Sequence, residues 1–550
     1  MRRIPAVPLT DVRRSVHSVR YRAAHESKRF NHGLPACPPG SLLKGPQPTL
    51  ASASRSRVLA EPDQGRSDAG SADDGLRPAA IDRTNHWDRR LGVLLLLTLG
   101  LCGCLVGPNY HRPVTSLPAQ FPGAPAAGNA SIADTKWFDL FQDATLKQLV
   151  DAALEKNFDV RIAAERVLEA RAQYGITRAN LFPTLDAQGS YAGVRSSSIG
   201  ATPFLASGTN LAASYTQAGL QFAWELDLWG RLRRLDEAAR AQYLASEEAR
   251  NGVIISLISD VMNTYFEVRE LDLELEIAQH NNEIGRDNLR LIRLRKERGA
   301  ANGLEVQQAE QFLYTTTATI PSVERSIAQA EDALNLLLAK APAEVPRGKT
   351  LEQITSAPDL PAGLPSSLIE RRPDIRQAED NLIAANAQIG AARALFFPDI
   401  SLTGLLGSQS RSLAGMFTGP ARNESIAANA LLPIFHAGLR AGVQLTEAQQ
   451  REMLITYQKT IYSALREVAD ALAVHTRTRE QRGEEEKLVA ALSESVRLSN
   501  LRYRGGLDSY LQVLDSERDL FAGQLSLAQL RLVELQSVVQ LYRALGGGWQ

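Results

Sequence analysis

The chain carries an internal repeat, and this feature limits its possible folds more than any other. Ala172–Pro183 aligns with Ala387–Pro398 at an offset of 215 residues, with seven identical positions. Further pairs keep the same order along the chain: Asp159–Arg161 with Asp374–Arg376 at the same offset, then Arg298-Gly299 with Arg504-Gly505 and Val306…Glu310 with Val513…Glu517 at offsets of 206 and 207. Two copies of one structural unit are therefore expected in each chain.

Each copy is predicted to contain a helix, two strands, a very long helix and a second helix. The first copy covers residues 136–341 and the second covers 366–550, and an N-terminal segment, 104–135, precedes them. The stretch between the copies, 342–365, contains the prolines of a linker: Pro342, Pro346, Pro358, Pro361 and Pro365.

Apolar and polar residues alternate in two hairpins, 184–226 and 399–434, whose strands are separated by Ser/Gly/Thr-rich loops. The apolar positions are Leu185, Ala187, Gly189, Tyr191, Ala218, Leu220, Phe222 and Trp224 in the first hairpin and Ile400, Leu402, Leu406, Ile426, Ala428, Ala430 and Leu432 in the second. This alternation fits strands between lipid and water, and a soluble hairpin packed on a core is the alternative. Since four strands cannot close a membrane barrel, the pattern predicts an oligomer of two or three chains.

Two very long helices follow the hairpins. No proline occurs between Gly230 and Ile320 or after Pro433, and apolar residues recur at heptad spacing in both stretches. A helix from about 230 to 298 would be on the order of 100 Å long. Gly299 is expected to cap the end of this helix, and Asn302…Glu305 is expected to cap the start of the next one. In the second copy, Gly505 is expected to end the long helix and the capping box Ser509–Gln512 to begin the next.

The N-terminal region has the pattern of an export signal behind an extension. Residues 1–88 lack hydrophobic periodicity and are expected to be disordered, with the true translation start downstream of Met1. Residues 89–103 combine a basic flank with a short apolar run and precede Cys104, the expected lipidation site. This covalent lipid is the one attached group expected. By resemblance to bacterial lipoproteins, Leu105 in place of Asp at the next position favours the outer membrane.

No enzymatic or metal chemistry is found in the sequence. The formal net charge is zero, which argues against a nucleic-acid binder, and all three cysteines lie at or before Cys104. Phosphate-loop, zinc-protease and serine-hydrolase motifs are missing, and His280, His436 and His475 are interpreted as surface or packing residues. A periplasmic coiled-coil adaptor or scaffold and a secreted enzyme are the rival classes.

Several motifs resemble those of the outer membrane factor family, the TolC-like channels, and within it the lipoprotein NodT/OprM-type branch that serves RND efflux pumps. They are Val106–Pro113, Trp224–Arg231, Glu370–Glu379, Arg502–Gly506 and Ala544–Trp549. The resemblance covers residues 90–550. It implies a trimer with a 12-stranded outer-membrane β-barrel continued by a periplasmic α-helical barrel, a periplasmic adaptor (membrane fusion protein) and an inner-membrane RND pump as partners, and export of small molecules. An exit duct for type I protein secretion is the alternative.

The resemblance also implies where the channel closes and docks. Leu511 and Asp515, which are four apart and share a helix face, match the inner constriction of the related lipoprotein channels, and Arg504 and Arg518 lie close enough in sequence to supply opposing charge. The expected adaptor contact lies at the two helical turns, with the residues Gly299, Gly303, Gly505, Gly506 and Ser509.

Overall fold

The computed structural model describes the chain from Leu105 to Gly547 with four gaps, as residues 105–121, 131–134, 136–195, 212–354 and 361–547. The chain divides into two units, 1–82 and 83–550, and every described residue belongs to the second. The expected disordered extension, signal peptide and lipidation residue Cys104 lie outside the described residues.

The described part is mainly helical. Its α-helices are α1 Trp137–Phe141, α2 Ala144–Lys156, α3 Phe158–Ala179, α4 Arg231–Glu297, α5 Gly303–Leu337, α6 Leu368–Arg371, α7 Pro373–Ala394, α8 Gly438–Arg504 and α9 Tyr510–Ala544, with short 3-10 helices at Ile132–Asp134, Pro365–Ser367, Leu413–Phe417 and Gly419–Ala421. Its strands are β1 Thr184–Arg195, β2 Ala212–Glu225, β3 Asp399–Ser410 and β4 Arg422–Leu431. Among the described helices, none has both the length and the apolarity to cross a membrane.

The two halves of the chain have the same helices in the same order. Helices α3 and α7 have 22 residues each, α4 and α8 have 67 each, and α5 and α9 have 35 each. At 1.5 Å per residue, each 67-residue helix is about 100 Å long, as the heptad pattern predicts. The internal repeat is therefore a repeat of structure.

The four strands form one antiparallel sheet in the order β1-β2-β3-β4. Its register carries an apolar row across all four strands, Leu185–Phe222–Gly404–Ile426, and a polar row across three, Ser190–Gln217–Gln409. The two predicted hairpins therefore lie edge to edge in one sheet, with their apolar positions in register. Within the described residues, the outer edges of β1 and β4 have no strand beside them.

The hydrophobic core lies where the two halves meet, in the middle of the long helices. Val261 and Val268 of the predicted heptads are fully buried there, beside Ile461 and Val468 of the second half. The stretch between the repeats contributes Val345 to the same core. Packing across the halves therefore joins residues about 200 positions apart.

The N-terminal segment 105–121 ties both halves together. The Val106 amide donates to Trp229 O (3.1 Å), and the Arg112 guanidinium makes a two-bond contact with Glu379 (2.7 and 2.8 Å). Gly107 crosses Gly390 so closely that a Cβ on Gly107 would lie 2.4 Å from the Cα of Gly390. Only glycine fits this crossing, which seats the segment against α7.

Candidate functional site

Helices α4 and α5, and likewise α8 and α9, are joined by short turns that close in the same way. Gly299 (φ 74°) and Gly506 (φ 73°) adopt the left-handed conformation. The following amides, of Ala300 and Leu507, donate to carbonyl oxygens of the preceding helix at 2.8 and 2.9 Å. Each turn is a Schellman-type C-terminal cap, in which glycine avoids the penalty of a side chain at positive φ.

The left-handed residue of the second turn is Gly506, whereas Gly505 is the C-cap residue that ends α8, as predicted. Gly505 has φ −76°, which any residue adopts, so the structural partner of Gly299 is Gly506 at an offset of 207. The sequence pairing of Arg298-Gly299 with Arg504-Gly505 was one residue out of register. Two adjacent glycines are equivalent as candidate caps, and only the end of α8 decides between them.

The helices that follow the two turns, α5 and α9, are capped differently at their N-termini. Asn302 Oδ1 accepts from the Glu305 amide (3.0 Å), so the predicted cap of α5 is confirmed. The predicted capping box at Ser509 is wrong, because the Ser509 side chain makes no cap bond and only its carbonyl accepts from Gln512 (3.2 Å). The ion pair of Arg502 with Asp508 (2.5 and 3.1 Å) spans this turn instead.

The two turns pack together in one cluster, which we call the tip cluster: Leu289, Ile292, Val306, Ala309, Phe312, Tyr503, Tyr510, Val513 and Leu514. Tyr503 links the halves, since its hydroxyl donates to Glu305 (3.2 Å) and the Arg295 guanidinium lies 4.4 Å from its ring centre. Burial and the Glu305 carboxylate raise the pKa of Tyr503 to about 12. The tip cluster therefore holds the four long helices together at this end.

The residues expected to form the gate lie just beyond the second turn. Leu511 and Asp515 are both exposed on one face of α9, and 46% of the Leu511 surface is accessible. Arg504 is exposed at the end of α8, and Arg518 is half-buried one turn after Asp515. Among the described residues, no ion pair joins Asp515 to either arginine, and a large apolar side chain beside a free carboxylate faces solvent.

The expected docking residues occupy the turns themselves. Gly299, Gly303, Gly505, Gly506 and Ser509 are all exposed, and a Cβ on Gly299, Gly303 or Gly506 would meet nothing within 4 Å. Both turns thus present open, side-chain-poor backbone at the end of the helices. Of the histidines, His280 and His436 are exposed, whereas His475 is buried against Ser537 (3.0 Å), where burial lowers its pKa.

Sequence reasoning missed Glu517, which the fold buries between helices. Its Oε1 accepts from Asn288 Nδ2 (2.6 Å), which joins α9 to α4 across 229 positions. Two further hydrogen bonds join the same two helices along a line of contact that we call the α4–α9 seam. They are Asn281 with Gln524 (3.1 Å) and Gln529 with Glu274 (3.3 Å). The available signal was the alignment of Glu517 with Glu310, which marks a repeated position but gives no burial.

Comparison with known proteins decides the family. The family described as "Outer membrane efflux protein" matches residues 149–340 and 364–547, which is more than half of the chain and one match in each repeat. The chain belongs to the outer membrane efflux protein family. It is therefore an outer-membrane channel of an efflux system, with a TolC-like fold and no enzymatic role.

Individual relatives match this chain over nearly their whole length. The solvent efflux pump outer membrane protein SrpC of Pseudomonas putida is 42% identical over 469 residues, which cover 84% of this chain and 98% of the relative. The cation efflux system protein CusC of Escherichia coli O6:H1 is 36% identical over 460 residues, 82% of this chain and 98% of the relative. The open-state structure of the Neisseria gonorrhoeae MtrE channel superposes with a TM-score of 0.73 at 33% identity, covering 81% of this chain and 99% of that one.

Proposed function

We propose that three copies of this efflux channel close into one duct that carries small molecules from an inner-membrane RND pump and its periplasmic adaptor through the outer membrane. The observation that most supports this proposal is that two equivalent helices, one in each repeat, are packed to different extents. Helix α7 packs between α4 and α8, whereas its repeat partner α3 packs along α4 and leaves apolar side chains uncovered. These are Phe158, Ile162, Leu168 and Ile176, each about half exposed or more.

A second copy supplies what α3 lacks. Helix α8 exposes Leu445, Ile455 and Tyr462, and together with the repeat symmetry this exposure supports packing of α8 of one copy on α3 of the next. The free edge of β1 in one copy would then pair with the free edge of β4 in the next copy, all the way around the ring. Three copies give twelve strands, which exceeds the roughly eight that the smallest membrane barrels need.

Small molecules are the proposed cargo. The printed names of the relatives mention solvents, toluene, antibiotics and cations. Type I protein secretion is the second candidate, and the lipoprotein-like N-terminus favours small-molecule efflux over it. A coiled-coil adaptor is a poor fit, because the two-faced sheet has no role in such a protein.

Lipidation of Cys104 is the proposed anchor. The next residue, Leu105, packs closely on Gly230 at the junction of the sheet and α4, since a Cβ on Gly230 would lie 2.5 Å from Leu105 Cδ1. This position supports an acyl anchor at the membrane surface next to the barrel. Several acyl chains on one cysteine would hold the protein stably, since one chain is marginal.

The inner end is proposed to be both gate and docking surface. Leu511 and Asp515 would converge around the threefold axis, where three carboxylates form an acidic ring that attracts cations, with Arg504 and Arg518 nearby. The open turns at Gly299, Gly303, Gly505, Gly506 and Ser509 would receive the adaptor.

An efflux assay tests the proposal as a whole. The gene is expressed in a bacterium that lacks its own exit duct, together with a periplasmic adaptor and an RND pump. Restored resistance to solvents or antibiotics supports small-molecule efflux. Unchanged sensitivity, with the protein present in the outer membrane, would contradict it, and restored secretion of a protein substrate would favour the second candidate.

A further inference from the structure

The repeat places Glu310 and Glu517 at equivalent positions, yet their surroundings differ. In the first half, Glu310 forms an ion pair with Arg293 (2.7 Å), and the arginine is exposed. At the offset of 207 that relates the two helix pairs, Arg293 corresponds to Asn500. Glu517 has therefore lost the cation that its counterpart keeps.

Glu517 is also far more enclosed than a lone carboxylate tolerates. It is 4% exposed, Asn288 donates to its Oε1, and its Oε2 has no hydrogen-bond partner among the described residues. The buried hydroxyl of Tyr510 is likewise without a partner there. An ionised carboxylate loses far more solvation free energy in such a place than a protonated one does.

The groups around Glu517 provide no compensating charge. The facing group on α4 is the amide of Asn288, and the facing group on α8 is the amide of Asn500. On its own helix, Glu517 interacts electrostatically with Tyr510, which also interacts with Tyr503 and Arg518. Helix α5 presents apolar side chains to the adjoining tip cluster. Burial raises the pKa of the Glu517 carboxyl to about 7, against about 4.3 for an exposed glutamate.

We propose that Glu517 is a protonation site that controls how firmly α9 is held on α4, and hence how tightly the channel closes. The inference rests on the proposed gate, because α9 carries Leu511 and Asp515. When α9 is packed against α4 and the channel is closed, the Glu517 carboxyl is protonated and neutral. When the carboxyl ionises, it gains more from water than from the amides of Asn288 and Asn500, so the contact between α9 and α4 loosens and α9 moves away from α4. Acid surroundings keep the duct shut.

The sign of the pH dependence follows from the raised pKa. The closed seam binds the proton more tightly than an exposed glutamate does, so its extra stability is complete below about pH 4.3. It is lost progressively as the pH rises towards about 7. Channel conductance should therefore increase between pH 5 and pH 8.

Single-channel recording of the purified full-length protein in planar bilayers tests this at pH 5, 6, 7 and 8. We expect the open probability of the wild type to rise roughly tenfold over this range, where each unit of pKa difference permits at most a tenfold effect. Glu517→Gln, which mimics the neutral acid, should remain at the low acid level at every pH. Asn500→Arg, which restores the ion pair of the first half, should likewise lose the dependence.

Two control variants separate this site from others. Glu310→Gln removes the matched carboxylate of the first half, and Asp515→Asn removes the charge of the proposed gate. Both should keep the wild-type pH ratio. A Glu517→Gln channel with that same ratio, or a wild type with equal open probability at pH 5 and 8, would overturn the inference. A wild type that forms no conducting channels would instead contradict the proposed function.

Discussion

At the scale of single residues, the gate proposal depends on Leu511 and Asp515, which lie exposed on one face of α9. Replacing both, as Leu511→Ala with Asp515→Ala, removes the bulk and the charge that narrow the duct. Conductance in planar bilayers should increase about twofold or more, because the wider aperture at the narrowest point outweighs the lost attraction for cations. Vancomycin-sized compounds should also enter cells more easily.

The exposed neighbour Gln512 provides the control for the gate variant. Gln512→Ala lies on the same turn but contributes neither the leucine nor the carboxylate, and it should conduct as the wild type does. A double variant with wild-type conductance and permeability would place the constriction at other residues.

Docking of the adaptor is the second residue-scale prediction. Gly505→Trp should abolish efflux, since the bulky ring would cover the open turn, while the oligomer still assembles. Gly505→Ala is the matched control, because φ −76° accepts a Cβ, whose nearest contact would be Leu501 O at 3.4 Å. Drug resistance that persists unchanged in the tryptophan variant would place the adaptor contact elsewhere.

At the scale of helices, Arg372 fastens three elements at the start of α7. Its buried guanidinium donates to Asp374 (3.0 and 2.7 Å), to Glu467 of α8 (2.8 Å) and to the carbonyl of Ala544 at the end of α9 (2.8 Å). Arg372→Ala would leave the Ala544 carbonyl and two partly exposed carboxylates without their partner, which should cost about 2–3 kcal/mol of unfolding free energy. Thermal unfolding in detergent measures this loss.

The preceding arginine is the control for that prediction. Arg371 pairs with Asp134 (2.7 Å) at a more exposed site, so Arg371→Ala should cost about 1 kcal/mol or less. Equal melting temperatures for the two variants would show that Arg372 is not the fastener that its contacts indicate.

At the scale of the whole molecule, closure of the duct needs the uncovered face of α3. Ile162→Glu places a charge on this face, where the single chain leaves the side chain about half exposed. The isolated chain should fold, but the trimer should dissociate in mild detergent, as native mass measurement or crosslinking would detect. Leu413→Glu, in the connection between β3 and β4, should leave the trimer intact. A wild type that is monomeric in mild detergent would count against closure itself.

Maturation is the second prediction at this scale. Mass spectrometry of the purified protein should find a chain that begins at lipid-modified Cys104, without residues 1–103. An intact Met1 or an unmodified Cys104 would rule out the anchor. Cys104→Ala should weaken membrane attachment, although the barrel strands should still insert, since their apolar face is independent of the lipid.

The amino-acid sequence by itself determined the features that depend on local periodicity. The offset between the repeats, the two-residue alternation of Leu185 and Phe222 with their polar neighbours, and the proline-free heptads predicted the sheet faces and the 67-residue helices. Such signals are repeated along the chain, and each position carries its own evidence.

Only the tertiary structure decided the features that depend on partners far away in the chain. Gly506 instead of Gly505 takes the left-handed turn because α8 ends one residue before Gly505. Glu517 is buried because Asn288, 229 positions earlier, lies beside it. Helix α3 differs from its repeat partner α7 because only α7 has α8 of the same chain to pack against. No local pattern contains these contacts, since the energy of a buried group is set by what packs around it.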